Sequence, residues 1–374
     1  MLSSTQSNRR LKVSFVIASL LLLAAEGRPL GGSQGNTSTT GAVYTMTNAT
    51  PNEVVAFSRA ATGALTLIGN FSTGGNGTSV NLGSQGAIVL APGNQFLFAV
   101  NAKSNTISSF SVQAGGGLTF VNQVASGGAR PISVTVHGGF LYVANSGGTM
   151  QNIAGFNVAA NGALSSITGS VRGLSSSKAN PAEVGFSNDG SLLVVTEKGT
   201  NKIDTFTVAT NGLATGPLVQ DSNGLQPFGF AFDNGGHLIV SEATNSDVSS
   251  YSVASNGVLT LISGSVPDGG KAACWVVNTT NNTFPTQYSF ISNTGSGTLS
   301  TFTIGTDGTM TLLGGPTTTA AHPLDMAQSA DSLFLYVLGR GSGEIHGYAV
   351  ASNGALTSAG NMTAAKTARG LAGF

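Results

Sequence analysis

Along most of the chain, apolar and polar positions alternate in short runs with a period of two. FLFAVNAKSNTISSFSV, LLVVTEKGTNKIDTFTV and LIVSEATNSDVSSYSV each join an apolar run to an alternating run across a short polar loop. This is the pattern of two strands in a hairpin. A third run precedes each pair and is often opened by proline, as in RPISVTV, NPAEVGF, QPFGFAF and HPLDMAQ. A fourth follows a glycine turn. The turns read TGALTLI, GGLTFV, NGALSSI, NGLATG, NGVLTLI, DGTMTLL and NGALTSA. Asn-Gly and Asp-Gly favour tight turns because both residues tolerate positive φ.

The turn glycines are Gly63, Gly117, Gly162, Gly212, Gly257, Gly308 and Gly354, spaced by 54, 45, 50, 45, 51 and 46 residues. Four strands in each of seven such units predict an all-β chain: a seven-bladed β-propeller with four-stranded antiparallel blades. The two ends are complementary. The first strands, at AVYTMTN and EVVAFSR, lack an innermost partner, and the final ARGLAGF reads as an innermost strand with nothing after it. The C-terminal strand is therefore expected to join the N-terminal blade and close the ring, which removes an open sheet edge.

Composition narrows the function. Gly accounts for 53 of 374 residues, and charged residues for only 8%. Fifteen basic and fifteen acidic side chains cancel, so the chain lacks the basic footprint of a nucleic-acid binder. The single cysteine, Cys274, excludes an intramolecular disulfide and a multi-cysteine metal site. Arg9, Arg10 and Lys12 precede the apolar run Val13–Ala25. Residues 1–25 read as a secretory signal, because the 13-residue apolar run is too short for a membrane span of about 20 residues. Residues 26–40 read as a flexible linker and 41–374 as the propeller. The expected location is secreted, extracellular or cell wall, with no membrane contact after signal cleavage. Seven N-x-S/T sequons occur, about as many as this Asn-, Ser- and Thr-rich composition gives by chance.

In a propeller the innermost strands line a central channel, so aligned repeats generate rings of residues. The ring just before the inner strand is Ser84, Arg130, Asn180, Gln226, Ala272, His322 and Arg369. The next ring inward is Ala87, Ser133, Glu183, Gly229, Trp275, Asp325 and Ala372. The ring ending the second strand is Asn48, Asn101, Asn145, Glu197, Glu242, Asn293 and Gly339, expected at the same mouth. Convergent carboxylates, cations and an imidazole suit general acid–base work on an anionic substrate. Glu197, Glu242, Glu183 and His322 are the catalytic candidates. Arg130, Lys198, Arg369, Asn145, Asn293 and Trp275 are the candidates for holding the substrate. Asparagine after a strand also caps the next turn, Trp275 also suits packing between blades, and Lys198 alternates out of phase with Glu197, towards a neighbouring blade. No Gly-x-Ser-x-Gly elbow, Walker loop or His-Glu-x-x-His motif is present.

The unit PAEVGFSNDGSLLVVTEKGTNKIDTF, the segment PFGFAFDNGGHLIVSEA and the NGxL turns resemble the seven-bladed propeller lactonase family, which groups 6-phosphogluconolactonases with 3-carboxymuconate cyclases. The resemblance covers most of residues 41–374. It implies a hydrolase of a carboxylic ester or a muconate-type cyclase, opening or closing a lactone of a small anionic acid with no cofactor and no metal. It carries the acid–base role to Glu197 and the anion clamp to Arg130. The alternative is a non-catalytic extracellular binding propeller for a sugar, peptide or surface ligand.

Overall fold

The computed structural model describes residues 39–280 and 284–374. The segments read as signal and most of the linker lie outside these residues. The first strand begins at Thr39, two residues inside the stretch read as linker. Seven antiparallel sheets follow one another in a ring. In blade 2 the strands Ile88–Leu90, Phe96–Asn101, Thr106–Val112 and Leu118–Ala125 run from inside to outside. Blades 3 to 7 repeat that order, with inner strands Ala129–His137, Pro181–Phe186, Pro227–Phe232, Ala273–Asn278 and Pro323–Gln328. In blades 3 and 6 the outer strand is split in two. Among the described residues no helix is long and apolar enough to cross a membrane.

Blade 1 takes its inner strand from the other end of the chain. Arg369–Gly373 pairs antiparallel with Thr39–Met46, and Thr45 pairs with Leu371. The Thr45 hydroxyl donates to the Gly370 carbonyl at 2.7 Å. The Arg59 Nε donates to the Phe374 carbonyl at 3.1 Å.

Alternation along each strand puts apolar side chains between neighbouring blades. One buried cluster joins Tyr44 of blade 1, Phe98 and Phe110 of blade 2, and Ile132, Val143 and Phe156 of blade 3. The glycine turns complete these contacts. The turns dock on the blade before them, and in several a hydroxyl donates to a turn carbonyl: Tyr336 to Gly63 at 2.8 Å, Tyr142 to Gly212 at 2.6 Å, Thr205 to Gly257 at 2.9 Å. At Gly212 φ is +79°, and a Cβ would lie 2.5 Å from the Phe140 ring. Both the backbone conformation and the close approach call for glycine there. The repeated NGxL motif is thus the latch between successive blades.

Candidate functional site

The connections that lead into the inner strands set the geometry of one channel mouth. Arg130, Asn180, Gln226, Ala272 and His322 all have positive φ, between 46° and 62°. Proline follows four of them. Five repeats of one unusual conformation make it a property of the fold, which throws these side chains onto a common rim.

Residues 73–87, between the outer strand of blade 1 and the inner strand of blade 2, form a long connection that dives into the channel. The Gln85 amide N–H donates to the Ala182 carbonyl at 3.0 Å. Its side-chain Nε2 donates to the Phe230 and Val276 carbonyls at 3.2 and 2.9 Å, and its Oε1 accepts from Val276 N at 2.9 Å. The Ser84 hydroxyl donates to the Ile132 carbonyl at 2.8 Å, and Trp275 Nε1 donates to the Ser84 carbonyl at 3.0 Å. Val134 N donates to the Gly86 carbonyl at 2.8 Å. One short segment can bond to the inner strands of blades 3, 4, 5 and 6 only on the propeller axis. Residues 84–86 therefore plug the channel and divide it into a polar mouth and a cavity beyond.

The mouth gathers Arg130, Lys198, Phe228, Cys274, Thr294 and His322. Lys198 Nζ donates to the carbonyls of Gly83 and of Pro181, the latter at 3.1 Å, and lies 4.9 Å from the centre of the Phe228 ring. Burial lowers its pKa to about 8, and the nearby Arg130 charge pushes the same way. Arg130 Nη2 donates to the Asn81 carbonyl at 3.3 Å. Cys274 lies close enough to feel Lys198 and hydrogen-bonds Thr294, while burial pushes its thiol up to about 11. It therefore stays an uncharged thiol at neutral pH. The Thr294 carbonyl lies 3.2 Å from His322 Nδ1. A carbonyl only accepts, so Nδ1 carries the proton and Nε2 keeps its lone pair. His322 itself is exposed. Trp275 is buried against Phe228, with ring centres 4.8 Å apart, and forms the floor. Among the described residues the ion pairs are Lys202–Asp221, His237–Asp233 and His346–Glu344. Arg130 and Lys198 take part in none of them. Their charge faces the mouth without a carboxylate to neutralise it.

Other expected site residues fall elsewhere. Asn48, Asn101, Asn145, Glu197, Glu242 and Asn293 are fully buried. They point between blades rather than at the mouth; those of blades 2 to 6 tie their own hairpin to the loop that arrives from the preceding blade, and Asn48 of blade 1 holds the connection that leaves for blade 2, donating to the Val80 carbonyl at 2.8 Å. Asn145 Nδ2 donates to the Ser126 carbonyl and to Asn152 Oδ1 at 3.0 and 2.9 Å. Asn293 Nδ2 donates to Ser300 Oγ at 2.7 Å, and that hydroxyl donates to the Asp268 carbonyl at 2.7 Å. Glu242 accepts from Gly224 N at 2.7 Å and from Ser249 Oγ at 2.9 Å. Glu197 accepts from Ser175 N at 3.0 Å and from the hydroxyls of Ser175 and Thr200. Lys198, one residue on, faces the mouth, so the expected alternation is inverted. A single residue of register decides which of the two neighbours reaches the channel.

These buckles need a bare backbone opposite them. A Cβ at Gly128 would lie 2.7 Å from Asn145 Cβ and Cγ. Gly128→Ala is expected to lower stability by about 1–3 kcal/mol, the usual range for overpacking. A denaturant titration reads this directly, and an unchanged midpoint would show that the buckle can yield.

Glu183 and Asp325 line the cavity beyond the plug. Glu183 accepts from Phe230 N at 2.7 Å, and Asp325 accepts from Gly370 N at 3.0 Å. Burial raises both pKa values: Asp325 to about 7, Glu183 well above the carboxylate range, with the Asp325 charge adding to the effect on Glu183. Arg369 is buried beside Asp325 and is held by the Ala368 carbonyl at 2.5 Å. Among the described residues no cluster of three or more His, Cys, Asp or Glu could hold a metal ion.

Sequence reasoning thus placed Arg130, Lys198, Trp275 and His322 in one neighbourhood. It missed Phe228, Thr294 and the plug. The signal for the plug was the 54-residue gap between the first two turns, the longest of the six.

A profile of the family described as "Lactonase, 7-bladed beta-propeller" matches residues 37–176 and 170–277. The chain belongs to this lactonase family. Solved structures agree on the fold. A putative 6-phosphogluconolactonase from Bacteroides fragilis is 20% identical, with a TM-score of 0.70 over 92% of this chain and 100% of that one. The periplasmic gluconolactonase of Pseudomonas aeruginosa is 16% identical, with a TM-score of 0.68 over 87% of this chain and 97% of that one. A search among curated proteins finds no match.

Proposed function

We propose that this lactonase-family propeller opens or closes the lactone of a small anionic organic acid at the plugged mouth, without a cofactor. The observation that carries the reading is the pair of unneutralised cations, Arg130 and Lys198, in the same connected patch as a histidine with a free Nε2. The names of the structural neighbours, gluconolactonase and putative 6-phosphogluconolactonase, support a hydroxylated acid as the acyl part. In hydrolysis, His322 Nε2 takes a proton from water as its oxygen attacks the lactone carbonyl. The ring C–O bond then breaks, and the imidazolium returns the proton to the departing alkoxide, which gives the hydroxy acid. Arg130 holds the substrate's remote anion, with Lys198 beside it. Glu197 and Glu242, buried in their buckles, act on the loops of the mouth rather than on the substrate. The basic and apolar N-terminal pattern supports export, so the proposed setting is outside the cell.

The test is hydrolysis of a γ-lactone that bears a free carboxylate, compared with its methyl ester and followed by acid release with EDTA present. The carboxylate form should be turned over with the lower KM. Arg130→Gln should raise that KM about tenfold with little change in kcat, as expected for lost ground-state binding. Lys198 loses its charge as pH rises through about 8, so KM should climb above that pH in the native protein and not in Lys198→Met. Equal use of acid and ester would refute the anion clamp. Binding without acid release would make the mouth a receptor for anions.

A further inference from the structure

The structure sorts the N-x-S/T sequons, which the chemistry at the mouth does not use. Asn36 and Asn281 lie outside the described residues. Asn48 and Asn278 are buried. The Asn48 side chain is spent in its buckle, where Oδ1 accepts from Thr78 N at 3.0 Å, and Asn278 sits on the inner strand of blade 6. Asn76 is half-buried in the connection that forms the plug. Among the described sequons only Asn70 and Asn361 present exposed asparagines.

These two occupy equivalent positions. Asn70 lies on the outer strand of blade 1, Leu65–Ser72, and Asn361 on the outer strand of blade 7, Leu356–Thr363. The strands read LTLIGNFS and LTSAGNMT. A bulge just before each asparagine sets Gly69 against Ala56 and Gly360 against Gly347. A Cβ on either glycine would meet nothing within 4 Å, so the space beside both asparagines is open. Side chains two apart on a strand share a face, and the sequon hydroxyls of Ser72 and Thr363 are exposed as well. Asn70 Nδ2 donates to Glu53 Oε2 at 3.1 Å, and Asn361 Nδ2 donates to Glu344 Oε1 at 3.2 Å. An amide nitrogen carries two hydrogens, so each keeps a second one for substitution. Both strands are also the outer edges of their sheets. Unpaired backbone groups on such edges invite pairing with another chain, and the blade 1 edge exposes Leu67 and Ile68 besides.

We propose that Asn70 and Asn361 are N-glycosylation sites, and that their glycans cover the outer edges of the first and last blades of the ring. The proposal rests on the setting outside the cell, because the donor is a lipid-linked oligosaccharide pyrophosphate met during export. In the transfer, Nδ2 bonds to the anomeric carbon of the donor sugar and gives up one proton. The bond from that carbon to the pyrophosphate breaks, and the lipid pyrophosphate leaves. The remaining N–H can still donate to Glu53 or Glu344. Transfer takes place on the extended chain, and the folded state decides which products persist. A glycan on Asn48 or Asn278 has no room between the blades, so chains modified there should be missing from the folded, secreted pool.

The test is site mapping of the full chain secreted by a eukaryotic host. The protein is treated with a peptide N-glycosidase in heavy-oxygen water, which labels each asparagine that carried a glycan. Label should appear at Asn70 and Asn361 and be absent from Asn48 and Asn278. Asn70→Gln and Asn361→Gln should each remove the mass of one glycan. Ser72→Ala and Thr363→Ala should do the same while keeping the asparagines. Lactone hydrolysis at the mouth should be unchanged in all four. The double asparagine variant should sediment with more dimer and larger species than the parent at equal concentration. Secreted protein unmodified at both Asn70 and Asn361, or folded protein with a glycan on Asn48 or Asn278, would overturn the assignment. Unchanged association in the double variant would overturn the covering role. A chain that stays inside the cell would instead overturn the export reading, and the same chain behind a secretion signal of proven function then tests the two asparagines alone.

Discussion

His322→Gln should lower kcat by about 100- to 1,000-fold, the usual worth of a positioned general base, with KM changed little. The argument rests on one hydrogen bond. The Thr294 carbonyl fixes the proton on Nδ1, so Nε2 faces the mouth as a proton acceptor whenever the ring is neutral. Glutamine fills a similar volume and can still donate to Thr294, but it cannot accept a proton. The side chain is exposed, so its replacement removes no core packing and should leave the unfolding midpoint within a degree or two. Two further readouts separate chemistry from structure. The acid limb of the pH–rate profile, which reports protonation of the base, should vanish in the variant. His137→Gln, at the far end of an inner strand beside Phe186, should leave the rate intact. A loss of less than threefold in His322→Gln would remove the histidine from the mechanism.

The fold was legible because its evidence is periodic. Seven copies of a glycine turn and two complementary half-blades at the chain ends each predict the ring independently, and the pairing of Thr45 with Leu371 closes it. Patterns of that kind survive errors of a residue or two. The site was less legible because it depends on single residues. Glu197 and Lys198 are adjacent, and alternation says only that they face opposite ways. Nothing in the sequence says which of them faces the axis. The structure turns Glu197 towards Ser175 and Lys198 towards Gly83. The same limit applies to the asparagines of that ring: their partners, such as the Ser126 carbonyl for Asn145, lie on loops whose return to the hairpin is a tertiary fact. The plug was hidden for another reason. Residues 81–86, NLGSQG, read as an ordinary polar connection. Only the inner strands that accept and donate hydrogen bonds around Gln85 reveal that it sits on the axis.

The propeller should be most stable in mild acid and lose stability steadily between about pH 5 and pH 8. Ordinary domains behave otherwise, since paired carboxylates make them acid-labile. Here burial outweighs the few cations nearby, Arg369 beside Asp325 and Lys202 near Asp204. Burial raises Asp268 to about 6, helped by the Asp247 charge, and raises Asp325 to about 7. Asp204 is raised to about 8, first by burial and then by its hydrogen bond and proximity to Glu197. Both members of that pair accept from the same Ser175 N–H at 3.0 Å, so the two carboxyls lie together, and the proton that Asp204 keeps relieves their repulsion. Glu183 and Glu242 shift upwards as well. The native state keeps protons that the unfolded chain releases near pH 4. Stability therefore falls as pH rises from the unfolded pKa towards each folded one, by at most about 1.4 kcal/mol per pH unit for each group. Relaxation around the ions reduces this ceiling, and a net loss of about 3 kcal/mol from pH 5 to pH 8 is expected, or on the order of 5 °C in melting temperature. Lys198 acts in the opposite sense, but only above its lowered pKa of about 8. Thermal melts across that range measure the slope. Asp204→Asn keeps a donor for Glu197 and an acceptor for Ser175, so it should flatten the slope by up to one proton's worth and raise the melting point at pH 8. A melting temperature that climbs from pH 5 to pH 8 would mean that these carboxyls ionise freely in the folded protein, and the raised Asp204 beside Glu197 would then be wrong.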